Sequence, residues 1–320
     1  MKKTKYGSYE LLMDWKTSDA GFIAVASKGD KLFTLEQHRS YILPDETKAE
    51  KSPALYARLK QNFDEFKDNH IAVNTALAAT EKDGNVNYPT DWFVQDRFFT
   101  EATPFLPNVM DGDEIAKMPT EDIVFIMKEA AKALAAIHRT KVVHGNLNIR
   151  NIVAMKGFYY GSPLKYLVKI TNFNRSFFDG KIPPADLIGG TQQFISPEMT
   201  ECLIRDREES SLTKLSAKTD IFSLGVVFYE YLSKRVYPPY ADLPDYLKDK
   251  PIVYPGEALC CGGKIVLKID ILKENYIVRL LANMLHPDPD KRPTAEEVAE
   301  VLETEALMKV PNTDKIVTEF

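Results

Sequence analysis

VVHGNLNIRN, residues 142–151, is a short polar loop set between two regular segments, and the chain is best read outward from it. Upstream, Thr120 is placed to cap a helix running to about His138, with Ile123, Ile126, Ala130, Ala133, Leu134 and Ile137 on one face. Downstream, two short strands are expected at 152–155 and 165–171 on either side of a Gly-Ser-Pro turn. The stretch 174–197 carries Pro and Gly and is too long for an idle connection, since such loops are usually functional or disordered. Residues 219–233 are apolar nearly all round, which predicts a buried central helix. Helices at 276–285 and 294–303 close this region.

The first third has a different texture. Strand-like alternation covers 9–13, 21–27 and 31–36, with a Lys28-Gly29-Asp30 turn between the last two. Pro44 and the polar run 45–51 break it. Ser52-Pro53 then reads as N-cap and first helical residue of a helix of roughly 15 residues, its apolar face made by Leu55, Leu59, Phe63 and Phe66. A turn-rich loop at 81–89 and one or two strands within 91–103 follow. Pro104, Pro107 and Asp111-Gly112-Asp113 read as a hinge or linker.

A chain of 320 residues exceeds what one typical core needs, so a two-lobed domain or two small domains are expected. A net charge of -5 and a pI near 5.7 weigh against a dedicated nucleic-acid binder. Cys202, Cys260 and Cys261 make no disulfide framework, and Cys260-Cys261 has no His or Cys at metal-ligand spacing, so these read as buried or idle thiols of a reducing compartment. The basic N-terminus lacks an apolar core, and no stretch approaches about 18 apolar residues. The expectation is a cytoplasmic protein with no membrane and no nucleic-acid partner.

The loop 142–151 resembles the catalytic loop of protein kinases, H-R-D-L-x-x-x-N. In the same order, KITNFN (169–174) resembles a strand followed by D-F-G, and GTQQFISPE (190–198) resembles the segment ending in A-P-E. KTDIFSLGVVFYE (218–230) is similar to the family's buried central helix, and MLHPDPDKRPT (284–294) to its closing segment. The resemblance implies an α+β, bilobal protein kinase-like fold: a small β-rich N-lobe over 1–107, a larger helical C-lobe over 108–306 and a tail over 307–320. It weakens toward the N-terminus. WKTSDAG (15–21), where the family has a phosphate-cradling glycine loop, holds only Gly21, and KLFTLEQH (31–38) puts Glu36 where the phosphate-binding lysine belongs.

Carried over position by position, the resemblance separates scaffold from chemistry. The catalytic base matches Asn146, and a neutral carboxamide cannot accept the proton, an assistance typically worth about 10²–10⁴ in rate. The phosphate-steadying lysine matches Asn148 and the metal-binding aspartate matches Asn172, whose amide brings no charge to a hard cation. Asn151 alone matches its counterpart in the chemical set. The architectural positions match throughout: His144 and Phe173 for a hydrophobic stack, Asp220 for the aspartate bonded to the loop backbone, and Glu198 with Arg292 for a buried ion pair.

The resemblance therefore implies a pseudokinase acting as scaffold, allosteric partner or docking module, with another protein as partner, an active kinase or its substrate among the candidates. The alternatives are altered chemistry on the same fold, a slow kinase or nucleotidyl transferase, and a metal-independent nucleotide sensor. No resident metal is expected, and no cofactor, or ATP bound weakly without metal at an adenine hinge of Thr103, Pro104 and Leu106. Glu36 is expected either to face solvent or to form a charge-reversed pair with Arg58 or Lys60 of the first helix. His38, His70, His138 and His286 read as solvated or packing residues, Thr191 as a hydrogen-bonding residue near the loop, and 206–209 as a solvated acidic run.

Overall fold

The computed structural model describes residues 4–18, 21–157, 164–234, 238, 240–267 and 275–308. The Gly-Ser-Pro turn at 161–163, part of the glycine-poor turn at 19–20 and the tail from 309 lie outside the described residues. The chain divides into two compact units, the first of Met1–Ala78 and Asn87–Asn108, the second of Ala79–Val86 and Val109–Phe320. The class is α+β, with the sheet in the first unit and most helices in the second.

In the first unit an antiparallel sheet is built from β1 (Lys5–Tyr6), β2 (Tyr9–Leu11), β3 (Lys16–Thr17), β4 (Gly21–Lys28) and β5 (Lys31–Ile42). After helices α1 (Thr47–Lys51) and α2 (Pro53–Leu77) and the short β6 (Val86–Asn87), it is completed by β7 (Asp91–Gln95) and β8 (Phe98–Pro104). The order is β1-β2-β4-β5-β8-β7, with β3 added on β4. Gly21 is needed at the entry of β4, because a Cβ there would sit 1.8 Å from the Gln37 carbonyl oxygen. Alternation sorts the two faces of β5 and β8. Phe33, Leu35 and Ala102 join Tyr6, Tyr9 and Ala26 in one apolar cluster. Glu36, directly across the ladder from Glu101, shares the opposite face with His38 and Phe99.

Several expectations for this unit are corrected. Helix α2 runs 25 residues instead of about 15. Its buried residues are Phe63, Phe66, His70, Val73, Asn74 and Leu77, whereas Leu55 is exposed and Leu59 half-buried. The first ten residues bury no side chain, and the inward face runs on past Phe66 through Val73 and Leu77, interleaved with the polar His70 and Asn74. The polar run at 45–51 forms α1, started by Asp45, whose carboxylate accepts from the Thr47 amide and hydroxyl at 3.0 and 2.8 Å. Strand β5 also continues to Ile42, with a register shift between Gln37 and Ile42.

The second unit starts its helical part with α3 (Gly112–Ala116), not with a linker. Asp111 accepts from the Glu114 amide at 2.9 Å and Glu114 accepts from the Asp111 amide at 3.1 Å, a reciprocal cap on both orphan donors. Helix α4 (Thr120–Arg139) follows, with Pro119 at the cap position and Thr120 inside the helix, so Thr120 is not its cap. Its buried face packs on the closing helix Ala295–Met308. Strand β9 (Val142–Val143) leads into the loop 142–151, and β10 (Ile152–Lys156) and β11 (Tyr166–Thr171) leave it. Residues 79–86 belong here because the Asn85 carbonyl accepts from the Ile170 amide at 3.0 Å. Strand β12 (Phe177–Phe178) pairs with β9, followed by α5 (Pro197–Ile204), α6 (Glu209–Leu212) and α7 (Ala217–Leu232). The run from Ile221 to Tyr231 in α7 is buried without interruption, which makes this helix the centre of the unit. Among the described residues, no helix is long and apolar enough to cross a membrane.

Candidate functional site

The loop 142–151 is held from below by one carboxylate. Asp220, buried near the start of α7, accepts from the His144 amide at 2.7 Å, the Gly145 amide at 2.9 Å and His138 Nε2 at 3.0 Å. Backbone amides that helix and sheet cannot reach are satisfied this way, which fixes the course of the loop. Gly145 has φ +73, and a Cβ there would lie 2.5 Å from the Arg175 carbonyl oxygen, so the turn admits only glycine. His138, expected to be a solvated or packing residue, is instead a partner of Asp220, and the sequence motif alone does not mark Gly145 as obligatory.

His144 is fully buried and its two ring nitrogens have different jobs. Nε2 donates to the Thr171 carbonyl at 3.0 Å, and Nδ1 accepts from the Asn146 amide at 3.2 Å, an arrangement only the neutral ring can make. Burial holds its pKa below the ordinary histidine range, against the opposing pull of Asp220. Its ring meets Phe173 edge-on at 5.0 Å between centroids. The Ser176 hydroxyl donates to the His144 carbonyl at 2.9 Å, closing this stack on the segment after β11.

The asparagines above this base are spent on one another. Asn148 donates to the Asn146 carbonyl at 3.1 Å and to the Thr191 hydroxyl at 3.3 Å, and its oxygen accepts from the Arg150 amide at 2.9 Å. The Asn146 side-chain oxygen accepts from the Thr191 amide at 3.2 Å. Asn151 donates to the Asn146 carbonyl at 2.8 Å. Amide groups, which donate and accept at once, let the loop knit itself to residue 191 without a cation or an anion. Asn172 stands at φ +69, a region asparagine tolerates, with its side-chain oxygen buried and without a hydrogen bond. One orphaned neutral oxygen beside Asn151 is a poor donor set for Mg²⁺, which is held through carboxylates and phosphates.

The remaining architectural pair is bidentate. Arg292 Nη1 and Nη2 donate to the two Glu198 oxygens at 2.7 and 2.8 Å. Arg292 also donates to the His286, Lys218 and Pro287 carbonyls, and Thr219 donates to Glu198 at 3.0 Å. Every polar atom of this buried pair therefore has a partner, the condition under which such a pair holds its place.

The first unit gives a different result for Glu36. Among the described residues it forms no ion pair with Arg58 or Lys60, and Lys60 is bonded to Asp64 instead. Nor does it simply face solvent: it is half-buried, and burial pushes its carboxyl pKa up, as does Glu101, against His38. The basic group on this face is His38, whose Nε2 lies 2.8 Å from Glu101 Oε2, both residues being buried. Asn74 of α2 donates to Glu101 Oε1 at 2.8 Å. His38 and His70 are thus parts of a polar core, not isolated packing residues. Glu101 meets His38 and Asn74 across 63 and 27 positions of chain, beyond any local spacing. Thr103 pairs with Thr34 in the sheet, the Pro104 carbonyl already accepts from Asn87 Nδ2 at 3.2 Å, and Leu106 is half-buried just past β8.

The sequence profile of the protein kinase domain matches residues 97–302. A calcium/calmodulin-dependent serine/threonine-protein kinase of Malus domestica is 28% identical over 182 residues, covering 54% of this chain and 36% of that protein. The serine/threonine-protein kinase pakC of Dictyostelium discoideum is 27% identical over 186 residues, covering 55% and 35%. The chain thus spans about a third of the length of these relatives. The crystallised PknI kinase domain of Mycobacterium tuberculosis superposes with a TM-score of 0.56 over 95% of this chain and 98% of its own, at 13% identity, a likeness of fold alone.

Proposed function

Since this chain belongs to the protein kinase domain family, we propose that it is a member that has given up phosphoryl transfer and works by binding another protein, as scaffold, allosteric partner or docking module. The observation that carries this reading is the amide network of the loop. Asn146 and Asn148, at the positions of the family's base and phosphate-steadying lysine, are tied to each other and to Thr191. A carboxamide cannot take up the hydroxyl proton, and the Asn146 oxygen and both polar atoms of Asn148 are already used in holding the loop. The named activities of the relatives are theirs. Asn151 with the neutral Asn172 brings no charge to a metal–phosphate group and is a poor donor set for one.

Retained scaffold beside missing charge supports selection for shape. Asp220, Glu198 and Arg292 are costly to keep buried unless every partner is present, and every partner is present. The proposed partner is another protein, an active kinase or its substrate, in the cytoplasm. The test is incubation of the full chain with labelled ATP, Mg²⁺ and generic protein substrates, alongside thermal unfolding with ATP in the presence and absence of Mg²⁺. No transferred label and no Mg²⁺-dependent stabilisation are expected. Robust transfer abolished by Asn151→Ala overturns the proposal. A stabilisation by ATP alone, without transfer, makes the binding module a nucleotide sensor.

A further inference from the structure

His38, His70 and Glu101 come from three different elements of the first unit, β5, α2 and β8. One donor atom of each lies within 4.8 Å of the others, and all three residues are buried, at 4%, 2% and 4% exposure. We propose that they form a binding site for a divalent transition-metal ion of the zinc class, independent of the loop in the second unit and of its proposed role.

The ligand atoms are pre-set by their neighbours. His70 Nδ1 donates to the Phe66 carbonyl at 3.1 Å, which assigns the proton to that nitrogen and leaves the Nε2 lone pair as the donor. Asn74 Nδ2 holds Glu101 Oε1 at 2.8 Å, so Oε2 is the oxygen turned to the cluster. Oε2 and His38 Nε2 are already 2.8 Å apart. Zinc bonds of about 2.0–2.1 Å in a tetrahedral set need that separation to open to roughly 3.3 Å, a side-chain adjustment, and the proton shared by the two atoms is released to solvent as the ion binds. The rings are held by packing: Phe66 lies 4.0 Å from His70 and 5.0 Å from His38 between centroids.

Charge and donor type select the ion. Glu36 stands directly across the ladder from Glu101, so two carboxylates share one face, and like charges directly opposite are unfavourable. A dication between them and two imidazoles relieves this, with Glu36 the adjacent group to complete the coordination. Imidazole donors suit Zn²⁺, Co²⁺ or Ni²⁺ and disfavour Mg²⁺ and Ca²⁺. Bound there, the ion ties helix α2 to β5 and β8. In active kinases a lysine on the strand and a glutamate on the helix make that link.

The full chain, stripped with a chelator, is titrated with Zn²⁺ alone by calorimetry and followed by thermal unfolding. It is also loaded with Co²⁺ for its visible spectrum. Expected are one ion per chain, an upward shift of Tm, and cobalt bands of a tetrahedral nitrogen–oxygen site with no thiolate charge-transfer band. His38→Gln and His70→Gln should each abolish one-to-one binding, and Asn74→Ala, which touches only the carboxylate ligand, should weaken it roughly 10–100-fold. Cys260→Ser with Cys261→Ser should leave binding unchanged. Absence of one-to-one binding, binding that survives in the His38→Gln, His70→Gln double variant, or a thiolate band overturns the proposal. The cobalt spectrum of the unmodified chain decides the matter even if a histidine variant does not fold.

Discussion

Asp220 in the second unit and Glu101 in the first are both buried carboxylates with a histidine at hydrogen-bond distance, 3.0 Å for His138 and 2.8 Å for His38. Asp220 spends its remaining capacity on backbone amides of the loop, so its role is written into a short motif and the helix that follows it. Glu101 meets only side chains, His38 and Asn74, brought from a strand and a helix far away in sequence. In the second unit charge stands where it holds backbone, and the loop above it is knit by amides. In the first unit Glu36 shares its face of the sheet with the His38 imidazole, two residues on. The two units thus handle a buried carboxylate differently, one through backbone amides and the other through side chains.

The sharpest way to break this contrast is to remove one partner of the buried pair in the second unit. Arg292→Met should cost about 3–5 kcal/mol of unfolding free energy, because Glu198 is left charged with its side chain only 4% exposed. Urea denaturation measures it, and a loss under about 1 kcal/mol would show that the retained charges are not what holds this unit. Next in size is Asn148→Ala. It removes bonds to Asn146, Thr191 and Arg150 and should cost about 2 kcal/mol, at about 1 kcal/mol per bond with partial recovery by water. A neutral result would mean that the amide network is incidental.

A pH series sharpens the comparison through His144. The groups that face it are Asp220 on α7, which favours its protonation, and His138 on α4, which opposes it. Its pKa is depressed in the folded chain, so below about pH 6.5 the unfolded chain binds a proton that the folded chain refuses. Stability from this residue is therefore present above that pH and is lost as pH falls, at no more than about 1.4 kcal/mol per pH unit. The difference between the unmodified chain and His144→Gln should shrink from pH 7 to pH 5, and a difference that grows on acidification would reverse the assignment. The smallest effect is expected for Asn146→Asp, within about 0.5 kcal/mol, since the carboxylate can still accept from the Thr191 amide. The same variant should remain without phosphoryl transfer, because Asn148 and Asn172 are unchanged.

By itself the sequence determined the family, the sheet-then-helix order, a buried central helix placed at 219–233 and the run of asparagines in the loop 142–151. Those properties are local: a 3.6-residue period, a two-residue alternation, or a motif in which neighbours along the chain act together. Helix α2 was cut short for the same reason, since its second half turns inward through Val73 and Leu77 interleaved with His70 and Asn74, which no hydrophobic pattern marks as buried. Only the tertiary structure decided that Gly145 must be glycine, because the atom that would clash belongs to Arg175. It also set aside both expectations for Glu36, exposure to solvent or a pair with Arg58 or Lys60, and brought His38, His70, Glu101 and Asn74 together on that side of the sheet. Which polar groups share a dry interior depends on strand register and helix phase taken together. A one-residue slip of β5 against β8 would turn His38 to the other face, so the site exists only once both elements are set in the folded chain.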